Sequence, residues 1–298
     1  MPIKMIVCDM DGTLLNSENE IMPKTKKKLI ELQAKGIRLV LASGRSYKRL
    51  LTYATELKMD QYNGYLIDVN GTSFYDMATN QRYRIASLEK EDIKIINEFF
   101  SMFNVELQYS QDEGVCTYLT DSIYDIKRMI RSEMKLPQDY PWMSGMHSWL
   151  ADFRDGYPNM TLIRDLKDAP DTCNKMSVAQ EPQYIEFIKD IVNKSDISKH
   201  YEFVASDHRK LEVTKKGVNK GNALSQLMDH LSIKNNEVIV FGDSENDISM
   251  FIDKPYCVAM ANSLLKTKEK ANYRTGGNDE EGIFDLLEKF EKEGIIAF

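Results

Sequence analysis

Short apolar runs alternate with segments of helical period over the first 80 residues, an order that builds βαβ units around a parallel sheet. Lys4 to Cys8 is an unbroken apolar run with a basic start and predicts a first strand. Pro23 suits the first turn of a helix, Lys24 to Lys35 carries Leu29, Ile30 and Leu32 on one side, and Gly36 stands where a C′ glycine belongs. Ile37 to Leu41 predicts a second strand, Ser46 to Lys58 a second helix and Tyr65 to Val69 a third strand.

From about Phe74 to about Glu212 the pattern changes. Arg82–Ile85, Val105–Tyr109, Val115–Thr120, Lys175–Ala179 and Tyr201–Val204 read as strands, with helical stretches at Leu88–Phe103, Asp121–Lys135 and Gln183–Val192. This stretch is too long and too structured to be a loop, and Lys135 to Pro158 is its least predictable part. After Val218 the first pattern resumes. Asn222–Leu231, Ile248–Ile252, Ser263–Ala271 and Ile283–Lys292 predict helices, and Glu237–Phe241 and Tyr256–Met260 predict strands. The expected fold class is α/β: a parallel-sheet domain over residues 1–82 and 213–298, interrupted by an α+β domain over 83–212.

The composition is that of an ordinary globular chain, with 42% hydrophobic and 29% charged residues among 298. A formal net charge of −7 argues against a protein that lives on a nucleic-acid backbone, while leaving room for a local basic pocket for a small anion. No apolar run approaches the roughly 20 residues that span a bilayer, and no signal peptide is written, so no membrane partner is expected and the chain reads as cytoplasmic. Cys8, Cys116, Cys173 and Cys257 are far apart and form no CxxC pair, which reads as reduced, buried thiols. The four histidines show no metal-binding spacing. Oligomeric state is not legible.

Chemistry concentrates at the predicted strand ends. Asp9-Met10-Asp11-Gly12-Thr13-Leu14 follows the first strand directly and sets two carboxylates beside each other where open parallel sheets bind ligands. An Asx-type turn is the plainer alternative. Such a pair can hold a hard cation, attack an electrophile or exchange a proton. Gly242-Asp243-Ser244-Glu245-Asn246-Asp247 follows another apolar strand with the same grammar, although a helix N-cap with extra acids would look alike. Acids from two strands converging at one edge repel unless a cation lies between them, and Mg²⁺ suits few carboxylates, some waters and a substrate phosphate. Ser43-Gly44-Arg45 offers a hydroxyl and turn amides at the second strand end, and Lys220 can place a point charge on a phosphoryl group.

In order and spacing, DMDGT, ASGR, NKG and GDSEND resemble the four motifs of the haloacid dehalogenase superfamily, over the whole chain. The large insert between the second and third motifs is similar to the C2-type cap of Cof-type phosphatases (subfamily IIB), as are the phrases Val69-Asn70-Gly71, Val258-Ala259-Met260-Ala261-Asn262 and Glu280-Glu281-Gly282. The resemblance implies a Rossmann-like core with a cap that reads the leaving group, hinged near 80–86 and 208–216. It further implies a Mg²⁺-dependent phosphatase acting on small phosphorylated metabolites, sugar phosphates or cofactors, through an aspartyl-phosphate. Asp9 would be the nucleophile and Asp11 the general acid and base. Thr13, Ser43, Gly44, Lys220 and Asn246 would bind the phosphoryl group. The metal would take Asp9, the Asp11 carbonyl and Asp243, with Asp247 behind them. A phosphomutase or phosphotransferase using the same intermediate is the main alternative, and a non-catalytic phosphate sensor is another. Tyr109, Tyr118, Trp142 and Trp149 could stack on a sugar or a cofactor ring, although aromatics at such spacing are more often core.

Overall fold

The computed structural model describes residues 2–145 and 147–298. Met146, inside the segment 135–158, lies outside them. The chain divides into two compact units, Met1–Ile85 with Val218–Phe298, and Ala86–Gly217.

The first unit is built on an eight-stranded sheet in the order Tyr273–Arg274, Tyr256–Ala259, Val238–Gly242, Met5–Asp9, Arg38–Ala42, Tyr65–Asp68, Ser73–Asp76, Gln81–Arg84. The first six strands run parallel and the last two fold back as an antiparallel hairpin. Alternate residues of each central strand enter opposite cores, which is why these strands read as unbroken apolar runs. Ile6, Cys8, Leu39, Leu41, Ile239 and Phe241 pack with Leu29, Leu32, Leu50 and Phe290 on one face. Met5, Val7, Val40, Val238 and Val240 pack with Leu224, Leu227 and Phe251 on the other. Helices on both faces of a parallel sheet make this the α/β Rossmann-like arrangement that the pattern predicts.

The second unit carries a six-stranded sheet in the order Tyr201–Asp207, Lys210–Lys215, Lys175–Ala179, Glu106–Ser110, Gly114–Tyr118, Asn159–Ile163. The helices Lys90–Phe100 and Pro182–Lys194 bury Ile93, Ile96, Ile185 and Ile188 against Leu107, Tyr109, Val178 and Val213. The irregular segment after the helix Asp121–Glu133 is held by polar groups. Glu106 accepts from Lys127 Nζ at 2.5 Å and from the Ser144 amide at 2.8 Å, and both Glu106 and Lys127 are fully buried.

Two stretches differ from the expectation. The pattern predicts no strand over Ser73–Asp76 and places residues 83–85 in the insert, yet Ser73–Asp76 and Gln81–Arg84 pair with each other and extend the first unit's sheet. The expected hinge at 208–216 is occupied by the strand Lys210–Lys215 between two neighbours, where Leu211 and Val213 alternate with Lys210, Glu212 and Thr214. The unit boundaries fall at 85/86 and 217/218. Of the aromatics offered for stacking on a ligand, Tyr109 is core and Trp142 stacks on Tyr124 with the Arg131 guanidinium over its ring. All four cysteines are free and buried.

Candidate active site

Strand register brings the acidic turns together. Asp9 pairs with Ala42 on one side, and Cys8 pairs with Phe241 on the other. Ser43 follows Ala42 directly and Asp243 stands two residues past Phe241, so three loops leave the sheet side by side at its C-terminal edge. Parallel strands deliver their loops to one edge, and that edge is where such sheets bind ligands.

The first loop turns at Gly12, whose φ of +80° lies in the left-handed region. A Cβ added there would lie 2.7 Å from Asp243 Oδ2, so only glycine lets the two acidic loops approach. Beyond it the Thr13 hydroxyl donates to Asp243 Oδ1 at 2.8 Å. The glycine turn points the Thr13 side chain back at the neighbouring strand end, where it orients a carboxylate.

Lys220 opens the helix Lys220–Leu231 behind the cap residue Asn219, whose side chain accepts from the Asn222 amide at 2.8 Å. Its ammonium, 2% exposed, donates to Asp9 Oδ1 at 2.6 Å and to Asp247 Oδ1 at 2.7 Å. The other Asp247 oxygen accepts from the backbone N–H groups of Asp243 and Ser244, both at 3.0 Å. Both Asp247 oxygens are therefore committed, and the residue acts as an anchor for the lysine and for the Asp243 turn. Asp9, Asp243 and Asp247 each place an oxygen within 4.8 Å of the others.

Burial raises the Asp9 carboxyl well above the usual carboxylate range, with the Asp247 charge adding to the shift and Lys220 opposing it. Asp243 is raised by burial and then by Asp247, and it shares a hydrogen bond with Asp9. Burial works against the Lys220 ammonium, but Asp247 and Asp9 outweigh it and raise that group. Two carboxylates at this separation need a proton or a cation between them. An all-oxygen set of acids at a sheet edge, with a hydroxyl behind it, fits a hard divalent cation.

Asp11 stands apart from the buried trio. Its side chain is 57% exposed and is gripped by Arg45, through Nε to Oδ2 at 3.0 Å and through Nη2 to Oδ1. Ser43 is buried and its hydroxyl accepts from the Arg45 amide at 3.1 Å, leaving its own proton available to a ligand. Asn246 is half-buried, with its Oδ1 taking the Ser244 hydroxyl at 2.6 Å and its Nδ2 donating to Asn70 Oδ1 at 3.3 Å. The structure thus gathers Asp9, Lys220, Asp243 and Asp247 into one hydrogen-bonded group, with Thr13 attached to it and Asp11 at the rim. Three side chains absent from the candidate site residues also sit here: Arg45, Asn70, and Asn262, which donates to the Gly12 carbonyl at 2.7 Å. Their only signal was membership of the short phrases around the second strand end, the third strand end and residues 258–262.

The profile of the haloacid dehalogenase-like hydrolases matches residues 6–287. The 5-amino-6-(5-phospho-D-ribitylamino)uracil phosphatase YcsE of Bacillus subtilis is 26% identical over 281 residues, covering 94% of this chain and 93% of that one. A haloacid dehalogenase-like hydrolase from Bacteroides thetaiotaomicron superposes with a TM-score of 0.75 at 25% identity, over 97% of this chain and 99% of the other. The subclass IIB sugar phosphatase BT4131 shares the fold, with a TM-score of 0.70 at 21% identity over 98% of this chain and all of its own. With the profile spanning nearly the whole sequence and its motifs meeting at one sheet edge, the chain belongs to the haloacid dehalogenase-like hydrolase family, in the company of its phosphatases.

Proposed function

We propose that this chain is a Mg²⁺-dependent phosphatase that hydrolyses small phosphorylated metabolites, sugar phosphates or phosphorylated cofactors, through a phosphoryl-Asp9 intermediate. The observation that carries the reading is the buried ammonium of Lys220 held between Asp9 and Asp247, with Asp243 alongside. A buried cation among acids that outnumber it is a receptor waiting for further positive charge, and the group that needs both is a phosphoryl.

In this reading an Asp9 oxygen attacks phosphorus as the ester P–O bond breaks, and Asp11 protonates the departing alkoxide. Water then attacks the same phosphorus and gives its proton to Asp11. The bond from Asp9 to phosphorus breaks, returning the carboxylate and inorganic phosphate. Lys220, the Ser43 hydroxyl, the Gly44 amide and Asn246 hold the phosphoryl oxygens and supply preorganised positive charge. Asp9, Asp243 and the Asp11 carbonyl are the residues that would hold Mg²⁺, while Asp247 fixes the Asp243 turn. When bound, the cation neutralises charge on the transferring oxygens. The exposure of Asp11, held by Arg45, supports its role toward a departing alcohol.

The unit 86–217 is then the part that reads the leaving group, and the names of YcsE and BT4131 favour phosphorylated cofactor precursors and sugars. The test is a panel of phosphorylated metabolites, together with p-nitrophenyl phosphate, assayed for phosphate release by the full chain in Mg²⁺ and in EDTA and ranked by kcat/KM. The expected result is Mg²⁺-dependent release, with one chemical class preferred. Failure to release phosphate from any monoester would overturn the reading, and phosphorylation of an added sugar in place of phosphate release would turn it into a phosphotransferase.

A further inference from the structure

The turn after the third strand holds three consecutive residues in the left-handed region: Val69 at φ 46°, Asn70 at 55° and Gly71 at 96°. For a buried, β-branched valine this is a true outlier, and such conformations persist only where surrounding structure enforces them. The enforcing contacts are specific. The Val69 amide donates to the Arg45 carbonyl and the Asn70 amide to the Ser43 carbonyl, both at 3.0 Å, tying the turn to the loop that carries Ser43. At Gly71 an added Cβ would lie 2.3 Å from the Asn219 carbonyl, so the turn also presses on the residue that caps the helix of Lys220. Below it Asp68, fully buried and paired with Arg82 at 2.7 Å, accepts from the Tyr47 amide at 3.2 Å.

The side chain of Asn70 occupies the centre of this arrangement. Its amide group lies against Gly44, where a Cβ would come within 3.2 Å of Oδ1, and Oδ1 takes one Asn246 Nδ2 proton at 3.3 Å. The Ser244 hydroxyl holds the opposite end of the Asn246 amide at 2.6 Å. Clamped at both ends, Asn246 keeps a second N–H to offer to a ligand oxygen.

We propose that Asn70 is a positioning residue of the phosphate cradle, whose side chain fixes the Asn246 carboxamide beside the Ser43–Arg45 loop. The inference rests on the phosphatase reading. A turn that needed only its backbone conformation would be served equally by glycine, whereas a cradle needs the carboxamide.

Asn70→Gly separates the two, because glycine adopts a φ near 55° without strain. In Mg²⁺-dependent turnover of p-nitrophenyl phosphate we expect kcat to fall about tenfold with KM changed less than about threefold, as for loss of an interaction made in the transition state. Thermal stability should stay within about 2 °C of the parent, since no strained conformation is introduced. Asn246→Ala should lose a similar factor, and the double variant should be no worse than Asn246→Ala by more than about twofold, because groups acting as a unit are not additive. Unchanged kcat in Asn70→Gly, or losses that multiply fully in the double variant, would overturn the inference and leave the phosphatase reading standing. A parent protein that releases no phosphate from any monoester would overturn both.

Discussion

Replacing Lys220 with methionine tests the centre of the site. The side chain is nearly isosteric, so the change removes charge with little change in volume. The lost ammonium is 2% exposed and bridges Asp9 and Asp247 at 2.6 and 2.7 Å. Removing one partner of a buried ion pair costs about 3–5 kcal/mol. The lower end applies here, because Asp247 keeps two backbone N–H donors and Asp9, already raised by burial, can answer by taking a proton. A loss of about 3 kcal/mol corresponds to a fall in Tm of roughly 6–12 °C for a unit of this size. Its pH dependence follows from the same groups: neutral Asp9 needs no cation beside it, so the deficit should shrink as pH falls and grow as pH rises. Scanning calorimetry at pH 5 and pH 8 in EDTA measures both. Loss of one preorganised charge from the transition state should also lower kcat by about 10²–10³. Lys220→Arg should not restore it, because the planar guanidinium cannot replace a compact ammonium in a buried two-carboxylate site. A Lys220→Met protein with parental Tm at both pH values, or with kcat within about threefold of the parent, would refute the reasoning.

Asp9→Asn should abolish turnover while leaving the fold intact, and in EDTA it should melt no lower than the parent, because it removes one of the mutually repelling acids; retained turnover above a trace would remove Asp9 from the nucleophile's role. Without divalent cation the parent should lose stability as pH rises from about 4, since carboxyls raised on folding favour the protonated state and their contribution is lost as pH climbs through the folded values. Saturating Mg²⁺ should restore it, by about 2.7 kcal/mol at one hundred times Kd, and restore more at pH 8 than at pH 5; equal Tm with and without Mg²⁺ at pH 8 would refute a cation site here. Lys127→Met in the second unit should destabilise that unit by about 3 kcal/mol by stranding the buried Glu106, with hydrogen exchange rising over 135–145, and unchanged exchange there would deny that the pair holds the irregular segment.

The sheet of the first unit was legible because its central strands are buried on both faces and so appear as unbroken apolar runs between helical segments. The acidic turns were legible for a related reason: Asp9 and Asp243 interrupt such runs at their ends, where a core residue would otherwise continue. What escaped is governed by forces that leave no period. Ser73–Asp76 and Gln81–Arg84 form an edge hairpin rich in polar and aromatic residues, with Arg82 turned back onto the buried Asp68. The described residues around the turn at Ser144 are tied down by the buried charges of Lys127 and Glu106, and Met143, Phe153 and Tyr157 pack with Val115 without any helical or strand period. Arg45 and Asn70 matter through where a turn aims them, and Val69 even violates its own backbone preference to allow it. Consistency between local preference and fold is the rule for reading sequences, and it breaks first where strain is held near function.

Register converts two acidic turns more than 200 residues apart into one site. Cys8 stands opposite Phe241, so Asp243 follows its strand at the level of the Asp9 turn, and the Thr13 hydroxyl can reach it at 2.8 Å. A slip of one residue between these strands would carry Asp243 along by about 3.3 Å and turn its side chain to the opposite face of the sheet. It would also exchange Ile239 and Phe241 with Val238 and Val240 between two fully packed cores. The cores therefore resist the slip, and the catalytic geometry inherits their rigidity at no cost of its own. The same coupling sets the repulsion between the acids at the sheet edge against the packing of the whole first unit. Lys220, delivered by a separate helix, offsets only part of that repulsion, and the remainder is what a divalent cation can relieve.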